Sequence, residues 1–495
     1  MSAPSATPDA EAYRLMRAGR LAEALSFARE AVAAKTACSP THGVLAMILL
    51  RLGRAAEADA VIESAVRCPA GTGDAYNSLA HVALALGSHE HANVLYRRAV
   101  ELGPNVSRHW FNLASSERSF GRLADAEAAC DRAIALDSRE YRGYLLRSEL
   151  RTQTTAANHV EKLRHVLARS DLDDGARVLL GYALGKELDD LGQYEEAFKW
   201  FGLAASARRR QLAYDVALDE RKIQHIIAAF PHGAGRPGNG RDDSSRFVFI
   251  VGLPRSGTTL LERILTGLPG VRSNGETENF ERALTASAPA QRTTADRGAR
   301  DVFARAATLD WDAVAAVYAR LADAAGVGNA VIEKLPLNYL YLGAIHRALP
   351  QARLVLISRS PIDVCFAMYR TLFGDAYPFT YHFEDLARYY AAYSKLIAHW
   401  REAFGEAIHE VRYEELVSDP VHTAAALAGA CGLEWRDSAV EVERNGSVCL
   451  TQSAAQVRRP IYRSSTGRWR DYHTQLEPLI AELRRRGVGL GELDS

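Results

Sequence analysis

FVFIVGLPRSGTTLLERILTGLPGVRSNGE, residues 247–276, is the stretch around which the rest of the chain is organised. It opens with the apolar run Phe247–Val251, which is short and rich in β-branched residues and therefore predicts a buried parallel strand. A turn containing Gly252 and Gly257 follows, and the apolar periodicity after Thr258 predicts a helix. Backbone N–H groups at a helix start attract anions, because the helix dipole favours negative charge there. The stretch therefore predicts a phosphate-binding turn.

The spacing from Gly252 to Thr259 is G-x-x-x-x-G-T-T, in which Thr258 stands where a nucleotide-triphosphatase loop has its phosphate-binding lysine. The positive charge comes earlier, at Arg255. This PRSGTT arrangement resembles the 5′-phosphosulfate loop of sulfotransferases, which use 3′-phosphoadenosine 5′-phosphosulfate (PAPS) and no metal. The resemblance implies PAPS as co-substrate and adenosine 3′,5′-bisphosphate (PAP) as product. It also implies that the turn supplies these nucleotide contacts: Arg255, Ser256, Gly257, Thr258 and Thr259.

The composition narrows the class of protein. A chain of 495 residues is expected to hold two or more domains, and its 60 basic and 60 acidic residues argue against a nucleic-acid coat. The six cysteines are scattered without a C-x-x-C pair, which is typical of a reducing compartment. Residues 1–11 are predicted to be a flexible tail, and no apolar run reaches the ~18 residues of a membrane span. The predicted location is the cytoplasm.

Residues 12–215 carry a repeat. Glycines recur every 34 residues, and an alanine stands five and twelve residues after each glycine. This pattern predicts a helix-turn-helix array in which the glycine forms the turn and the alanines allow close helix packing. It resembles the tetratricopeptide repeat, and Gly192, Ala197 and Ala204 indicate a late repeat after a degenerate one. The array predicts a peptide or protein ligand, with Asn77 and Asn112 as candidate groove residues. The four glycines are Gly19, Gly53, Gly87 and Gly121.

A connecting helix and a glycine- and proline-rich linker are predicted over residues 216–245, and a second domain over residues 246–495. Three further apolar runs, Ala330–Ile332, Arg353–Ile357 and Ile408–Arg412, are each followed by a helical pattern. Alternating strands and helices predict an α/β three-layer domain with a parallel sheet and a ligand at the carboxyl ends of its strands. The predicted fold is thus an all-α tetratricopeptide solenoid followed by an α/β, P-loop-like sulfotransferase domain.

Arg359 follows the predicted strand Arg353–Ile357, and Pro361 suits the first position of the next helix. This segment resembles the sulfotransferase motif that binds the 3′-phosphate, in which an arginine at this place is followed eight residues later by a serine. Here the eighth residue is Ala367. The loss of one hydrogen bond to a charged group costs about 1.5–3 kcal/mol, so binding is expected to be weakened unless Ser358 or Ser360 compensates.

The resemblance extends along most of residues 246–470 and is greatest to the protein-tyrosine sulfotransferases. It implies that Glu276, 21 residues after Arg255, is the catalytic base, and that Lys334 and Arg255 stabilise charge on the leaving phosphate. Arg282 is in register with an arginine that contacts the acceptor. Glu278 replaces a second such arginine, which weakens the expectation of an acidic peptide as acceptor.

The same resemblance implies nucleotide contacts from Tyr413, Ser453 and Arg468. Ser453 and Arg468 are 15 residues apart, as are a serine and a lysine of the family. The segment Tyr462–Arg470 also resembles, in part, the lid of cytosolic sulfotransferases.

The sequence thus predicts a PAPS-dependent sulfotransferase whose repeats recruit or orient a protein partner or a hydroxyl acceptor, without nucleic acid and without a membrane span. Two alternatives stay open. One is a repeat scaffold with an inactive, nucleotide-binding transferase domain, which Ala367 favours. The other is a P-loop kinase, which Thr258 and the lack of an aspartate after a second strand oppose.

Overall fold

A computed structural model describes residues 8–34, 40–67, 71–231, 244–287, 309–323 and 329–491. Residues 1–7 of the predicted tail and residues 232–243 of the predicted linker lie outside these ranges. Contacts within the chain divide it into two compact units. The first comprises residues 1–159 with 447–449, and the second comprises the remainder.

The described part of the first unit is helical, and its first eight helices form four consecutive pairs that are followed by a single helix. Its helices, α1 to α9, are Pro8–Arg17, Leu21–Ala33, Pro40–Arg51, Ala55–Arg67, Gly73–Ala85, His89–Leu102, Ser107–Phe120, Leu123–Leu136 and Tyr141–Glu149.

The repeat pattern explains this architecture. All four periodic glycines adopt a positive φ between 74° and 78° in the turn inside a helix pair, a conformation that side chains other than glycine rarely adopt. The alanines five residues later, among them Ala58 and Ala92, are fully buried. A larger side chain would push the paired helices apart, so the predicted role of both residue types is confirmed. The predicted groove residues Asn77 and Asn112 are instead buried and hydrogen-bonded to each other at 2.8 Å.

Four described helices of the second unit precede its sheet. The late repeat folds as predicted, because Gly192 turns the chain at φ 73° and Ala197 and Ala204 are buried. This pair packs on the residues that follow: Arg209 contacts Asp385 at 2.7 Å. The division between units therefore falls at residues 159 and 160, ahead of the linker predicted from composition. These helices, α10 to α13, are Val160–Leu167, Asp174–Asp190, Tyr194–Arg210 and Val216–Ala229.

A parallel five-stranded sheet forms the centre of the second unit. Its order is β2-β3-β1-β4-β5, and every pairing is parallel, as predicted. The sequence did not reveal β2, a three-residue, half-buried edge strand without an apolar run. The strands β1 to β5 are Phe247–Val251, Val271–Ser273, Ala330–Lys334, Arg353–Ser358 and Ile408–Arg412.

Helices cover both faces of this sheet. Val248 and Ile250 point from β1 into a core that includes Leu261 and Ile264. The alternate residue Phe249 points the other way and packs edge-on against Phe280. Because neighbouring strand residues face opposite sides, a fully apolar β1 requires cover on both, which is the predicted three-layer arrangement. The helices α14 to α22 are Thr258–Leu265, Asn279–Ser287, Trp311–Asp323, Leu342–Ala348, Pro361–Tyr369, Phe383–Phe404, Tyr413–Ser418, Pro420–Ala430 and His473–Arg485.

Short 3-10 turns complete the unit and connect the longer elements. They are Ser244–Arg246, Pro336–Tyr341, Pro378–Tyr381, Gly405–Ala407, Asp437–Val440, Val442–Arg444, Gln456–Arg458 and Arg468–Tyr472. Within the described ranges no helix combines the length and the apolarity needed to cross a membrane.

Candidate active site

The turn between β1 and α14 packs closely on the neighbouring strand and helix. A Cβ atom at Gly257 would lie 2.5 Å from the ring of Tyr413, and one at Gly252 would lie 2.5 Å from the carbonyl oxygen of Ile357. Gly257 also has a φ of 109°. Glycine is therefore required at the start of α14, where the free N–H groups of the helix point into the turn.

Arg255 has the one positive φ, 68°, among the non-glycine residues that the structure describes. Such a conformation costs about 1–2 kcal/mol and persists where other contacts enforce it. Here the guanidinium donates to Ser453 Oγ at 2.6 Å and to Gln456 Oε1 at 2.7 Å. The structure thus brings together two predicted nucleotide-binding residues, Arg255 and Ser453, and adds Gln456, which the sequence did not reveal.

Ser256 is 2% exposed, and its Oγ has no hydrogen-bond partner among the described residues. A buried hydroxyl without a partner costs about 1–3 kcal/mol, so this atom is suited to a ligand. Thr258 and Thr259 follow and are also buried, and Thr259 Oγ1 donates to Thr451 Oγ1 at 3.3 Å. The turn fits an anion by its N–H groups, its glycines and the Ser256 hydroxyl.

Arg359 leaves the carboxyl end of β4 and contacts the turn directly. It donates to the carbonyl oxygen of Arg255 at 2.9 Å and to that of Ser465 at 2.6 Å, and it lies 4.7 Å above the ring of Tyr413. The hydroxyl of Tyr413 is 2.5 Å from Ser465 Oγ, and burial raises the pKa of that phenol. Two more predicted nucleotide-binding residues, Arg359 and Tyr413, therefore lie beside Arg255.

A cavity opens beside this group. Ser256, Ser358 and Arg359 line it together with the α19 residues Tyr390, Tyr393, Ser394, Ile397 and Arg401. Ala367, where the resemblance leads one to expect serine, is a buried residue of α18. Of the two predicted substitutes for a hydroxyl at Ala367, Ser358 and Ser360, Ser358 is one of the residues lining the cavity.

Lys334 ends β3, pairs in register with Ile250 of β1 and is fully buried. Its ammonium donates to Glu276 Oε1 at 2.6 Å and lies 3.4 Å from Glu262 Oε2. A buried ammonium needs anionic partners, because desolvation otherwise disfavours its charge. Glu262 comes from α14 and was not identified from the sequence, since a glutamate inside a helix is ordinarily a solvent-exposed residue.

Glu276 lies in a loop that continues the pairing of β2 with β3. The amide of Asn274 donates to the carbonyl oxygen of Ile332 at 2.9 Å, and that of Lys334 donates to Gly275 at 3.2 Å. The Glu276 side chain is 37% exposed, so it is accessible from solvent while its Oε1 atom contacts Lys334. Such a carboxylate can accept a proton from an approaching hydroxyl.

Tyr377 lies near this carboxylate and was also missed by sequence reasoning. Burial, and then the charge of Glu276, raise the pKa of the Tyr377 phenol, so it stays a neutral donor. The predicted acceptor contact Arg282 is exposed on α15, and its side chain has no partner among the described residues. Arg282 is therefore available to a ligand, but no contact ties it to Glu276.

Arg468 is placed differently from the other predicted nucleotide-binding residues. Its guanidinium donates to Asp189 Oδ1 and to Asp471 Oδ2, each at 2.7 Å, and lies 4.8 Å above the ring of Tyr194. None of these partners belongs to the group around Arg255. Arg468 is therefore bonded to helix α11, whereas Ser453, 15 residues earlier, is bonded to Arg255.

Comparison with known proteins gives one family match in each of the two units. Residues 248–437 match the model of the sulfotransferase family, and residues 73–106 match that of the tetratricopeptide repeat. An uncharacterised protein of Aquifex aeolicus is 26% identical over 376 residues, which cover 74% of this chain and 49% of that protein. The chain thus spans about half the length of that relative.

Solved structures show the same kind of similarity. The sulfotransferase domain of the Synechococcus PCC 7002 olefin synthase is 20% identical and covers 49% of this chain and 90% of its own, with a TM-score of 0.33. A sulfotransferase from Alicyclobacillus acidocaldarius is 21% identical and covers 51% of this chain and 96% of its own, with a TM-score of 0.26. The chain combines a mostly helical N-terminal region containing a tetratricopeptide repeat with a C-terminal sulfotransferase fold built on a parallel sheet.

Proposed function

We propose that the chain transfers a sulfuryl group from PAPS to a hydroxyl acceptor. The observation that carries the proposal is the contact of a fully buried lysine, Lys334, with the half-exposed carboxylate of Glu276 at 2.6 Å, one strand away from the phosphate-binding turn. A base and a cation side by side suit a reaction that removes a proton from one oxygen and places charge on another.

PAPS supplies an activated sulfuryl group on a phosphate leaving group. Its 5′ end fits the turn, where Arg255, Ser256 and the N–H groups at the start of α14 would hold it. Arg359, Ser453 and Tyr413 are grouped around Arg255 and would hold the 3′-phosphate, with Ser358 in the place of the absent serine hydroxyl. Arg468 is excluded from this set as long as it remains bonded to Asp189.

In the proposed mechanism Glu276 accepts the proton of the acceptor hydroxyl as its oxygen forms the new bond to sulfur. The bond between sulfur and the bridging oxygen breaks, and that oxygen keeps the electron pair. Lys334 and Arg255 stabilise the negative charge that develops there, so no metal ion is required by these steps. Glu262, the second partner of Lys334, keeps the lysine charged when Glu276 becomes neutral.

The proposed acceptor enters at the open edge of Glu276, beside Tyr377, and Arg282 is a candidate contact for it. The repeats of the first unit are proposed to recruit or orient a protein partner or the acceptor. The proposed location is the cytoplasm.

The proposal is tested by incubating the protein with ³⁵S-labelled PAPS, EDTA and a panel of hydroxyl compounds that includes tyrosine peptides, serine peptides, phenols and sugars. The expected result is EDTA-resistant transfer of label that is lost in the variant Glu276→Gln. Nucleotide binding without transfer to any class of compound would favour the inactive scaffold. Magnesium-dependent consumption of ATP would favour a kinase.

A further inference from the structure

The segment that begins at Ser465 forms a strap, which we define as residues 465–472. At one end, Arg359 donates to the Ser465 carbonyl oxygen at 2.6 Å, and the Tyr413 hydroxyl is 2.5 Å from Ser465 Oγ. Both contacts come from residues assigned above to the nucleotide. In the middle, Asp363 of α18 accepts from the amide of Gly467 at 2.7 Å and from that of Trp469 at 3.2 Å. The strap therefore lies on the proposed nucleotide site.

The other end of the strap is fastened to helix α11 by one carboxylate. Asp189 accepts from Arg468 at 2.7 Å and from the hydroxyl of Tyr472, both strap residues. Its second oxygen accepts from Arg370, just after α18, at 2.7 Å. Asp189 thus joins the strap, the end of α18 and helix α11 at one point.

Asp189 is charged although only 6% of its surface is exposed. Burial opposes ionisation, but Arg370 and Arg468 outweigh burial and lower the pKa of this carboxyl. A buried carboxylate bound by two guanidinium groups and a phenol fixes its partners in one geometry, because each lost contact leaves a buried charge without its counterion.

We propose that Asp189 is a positioning residue that holds the strap against the nucleotide site, with Arg468 as its principal fastening. The proposal rests on the proposed function in one respect, since it assigns the strap to the binding of PAP. In this account Arg468 acts through the strap. In the competing account, taken from its sequence register, Arg468 contacts the 3′-phosphate itself.

The two accounts predict opposite signs for Asp189→Asn. If Asp189 fastens the strap, the variant loosens the contacts of Ser465 with Arg359 and Tyr413. The affinity for PAP then falls by about tenfold or more, chiefly because PAP dissociates faster. If Arg468 were a direct ligand that Asp189 holds back, the variant would release it, and PAP would bind as tightly as to the wild type or more tightly.

Hydrogen exchange of the free protein supplies a second measurement, which is independent of the nucleotide. The amides of Gly467 and Trp469 are expected to exchange faster in Asp189→Asn than in the wild type. The matched control is Asp174→Asn, an exposed aspartate at the opposite end of the same helix. It is expected to leave both PAP affinity and strap exchange unchanged.

If Asp189→Asn does not fold, Tyr472→Phe replaces it, because this variant removes one hydrogen bond to Asp189 and keeps both arginines. The same two effects are then expected at smaller size. Unchanged or tighter PAP binding in the folded variant overturns the proposal, and so does unchanged exchange at Gly467 and Trp469. A wild-type protein that fails to bind PAP counts against the proposed function. The exchange measurement alone then decides whether Asp189 holds the strap in place.

Discussion

Lys334 donates a 2.6 Å hydrogen bond to Glu276 although 58 residues separate them in the chain. The strand order explains the contact, because β2 and β3 are neighbours and the Glu276 loop continues their pairing. The lysine is buried and the glutamate half-exposed, so the pair has a fixed inner member and an accessible outer one. In the proposed mechanism these are the leaving-group cation and the base.

Glu276→Gln should lower turnover by a general-base factor, roughly 10² to 10⁴, with little change in PAP affinity, because Glu276 belongs to the acceptor side. The measurement is kcat with the acceptor found in the transfer assay, together with a PAP titration. Glu281→Gln, an exposed glutamate in the first turn of α15, is the control and should keep wild-type turnover. If Glu276→Gln weakened PAP as much as Arg255→Ala does, Glu276 would be a structural loop residue.

The backbone and the guanidinium of Arg255 can be tested separately. Arg255→Ala and Arg255→Gly should both weaken PAP binding and slow transfer, because both remove the cation. The free energy of unfolding of the glycine variant, measured in urea, should exceed that of the alanine variant by about 1–2 kcal/mol, because φ is 68° at this position. Equal stability of the two variants would show that the turn relaxes once the contacts to Ser453 and Gln456 are lost.

Ala367→Ser should tighten PAP binding by up to about 1.5–3 kcal/mol if the missing hydroxyl leaves a phosphate oxygen unpaired. If Ser358 already supplies that hydrogen bond, Ala367→Ser gives no gain in the wild type, and Ser358→Ala weakens PAP. The double variant should then recover the loss. Isothermal calorimetry of the three variants distinguishes the two cases, and no effect of Ser358→Ala would remove Ser358 from the site.

Glu333, next to Lys334 on β3, is fully buried, and burial raises its carboxyl pKa to about 7. The folded state therefore binds a proton more tightly than the unfolded state, whose pKa is near 4.5, and stability falls as pH rises between these values. Above pH 7 the loss is on the order of 3 kcal/mol.

Glu333→Gln should remove most of this pH dependence. Tyr318 and Asn279 donate to one carboxyl oxygen, at 3.3 Å and 3.4 Å, and the amide oxygen of glutamine can accept both hydrogen bonds without a buried charge. The variant is expected to be more stable than the wild type at pH 8 and closer to it at pH 5 in urea unfolding. A variant less stable than the wild type at pH 8 would show that the ionised carboxylate stabilises the fold.

The sequence predicted the fold well where local pattern decides it. Phe247–Val251 was placed at its observed ends because both faces of β1 are buried, and Gly87 and Ala92 were assigned because their roles repeat every 34 residues. Strand β2 was not predicted, because three half-buried residues at a sheet edge carry no such pattern. The late repeat was found, but its packing on the later residues of the second unit depends on long-range contacts such as that of Arg209 with Asp385.

Some residues of the candidate site were predicted from the sequence, and others were revealed only by the structure. Arg255, Ser453, Arg359 and Tyr413 were expected from motif register, and the structure brings them together. Gln456 was not, because 201 residues separate it from Arg255 and one glutamine has no distinctive spacing. Arg468 shows the limit of register, since its position in sequence cannot reveal that a buried aspartate of α11 holds its guanidinium.

The central claim is that the group around Arg255 binds a nucleotide with a 3′-phosphate, and calorimetric titration of the wild-type protein with PAP and with AMP in EDTA tests it most directly. The account predicts that PAP binds at least tenfold more tightly than AMP, because about one charged hydrogen bond or more is available to the extra phosphate. The preference should fall in Arg359→Ala. Equal affinity for PAP and AMP, or binding that requires magnesium, would contradict it.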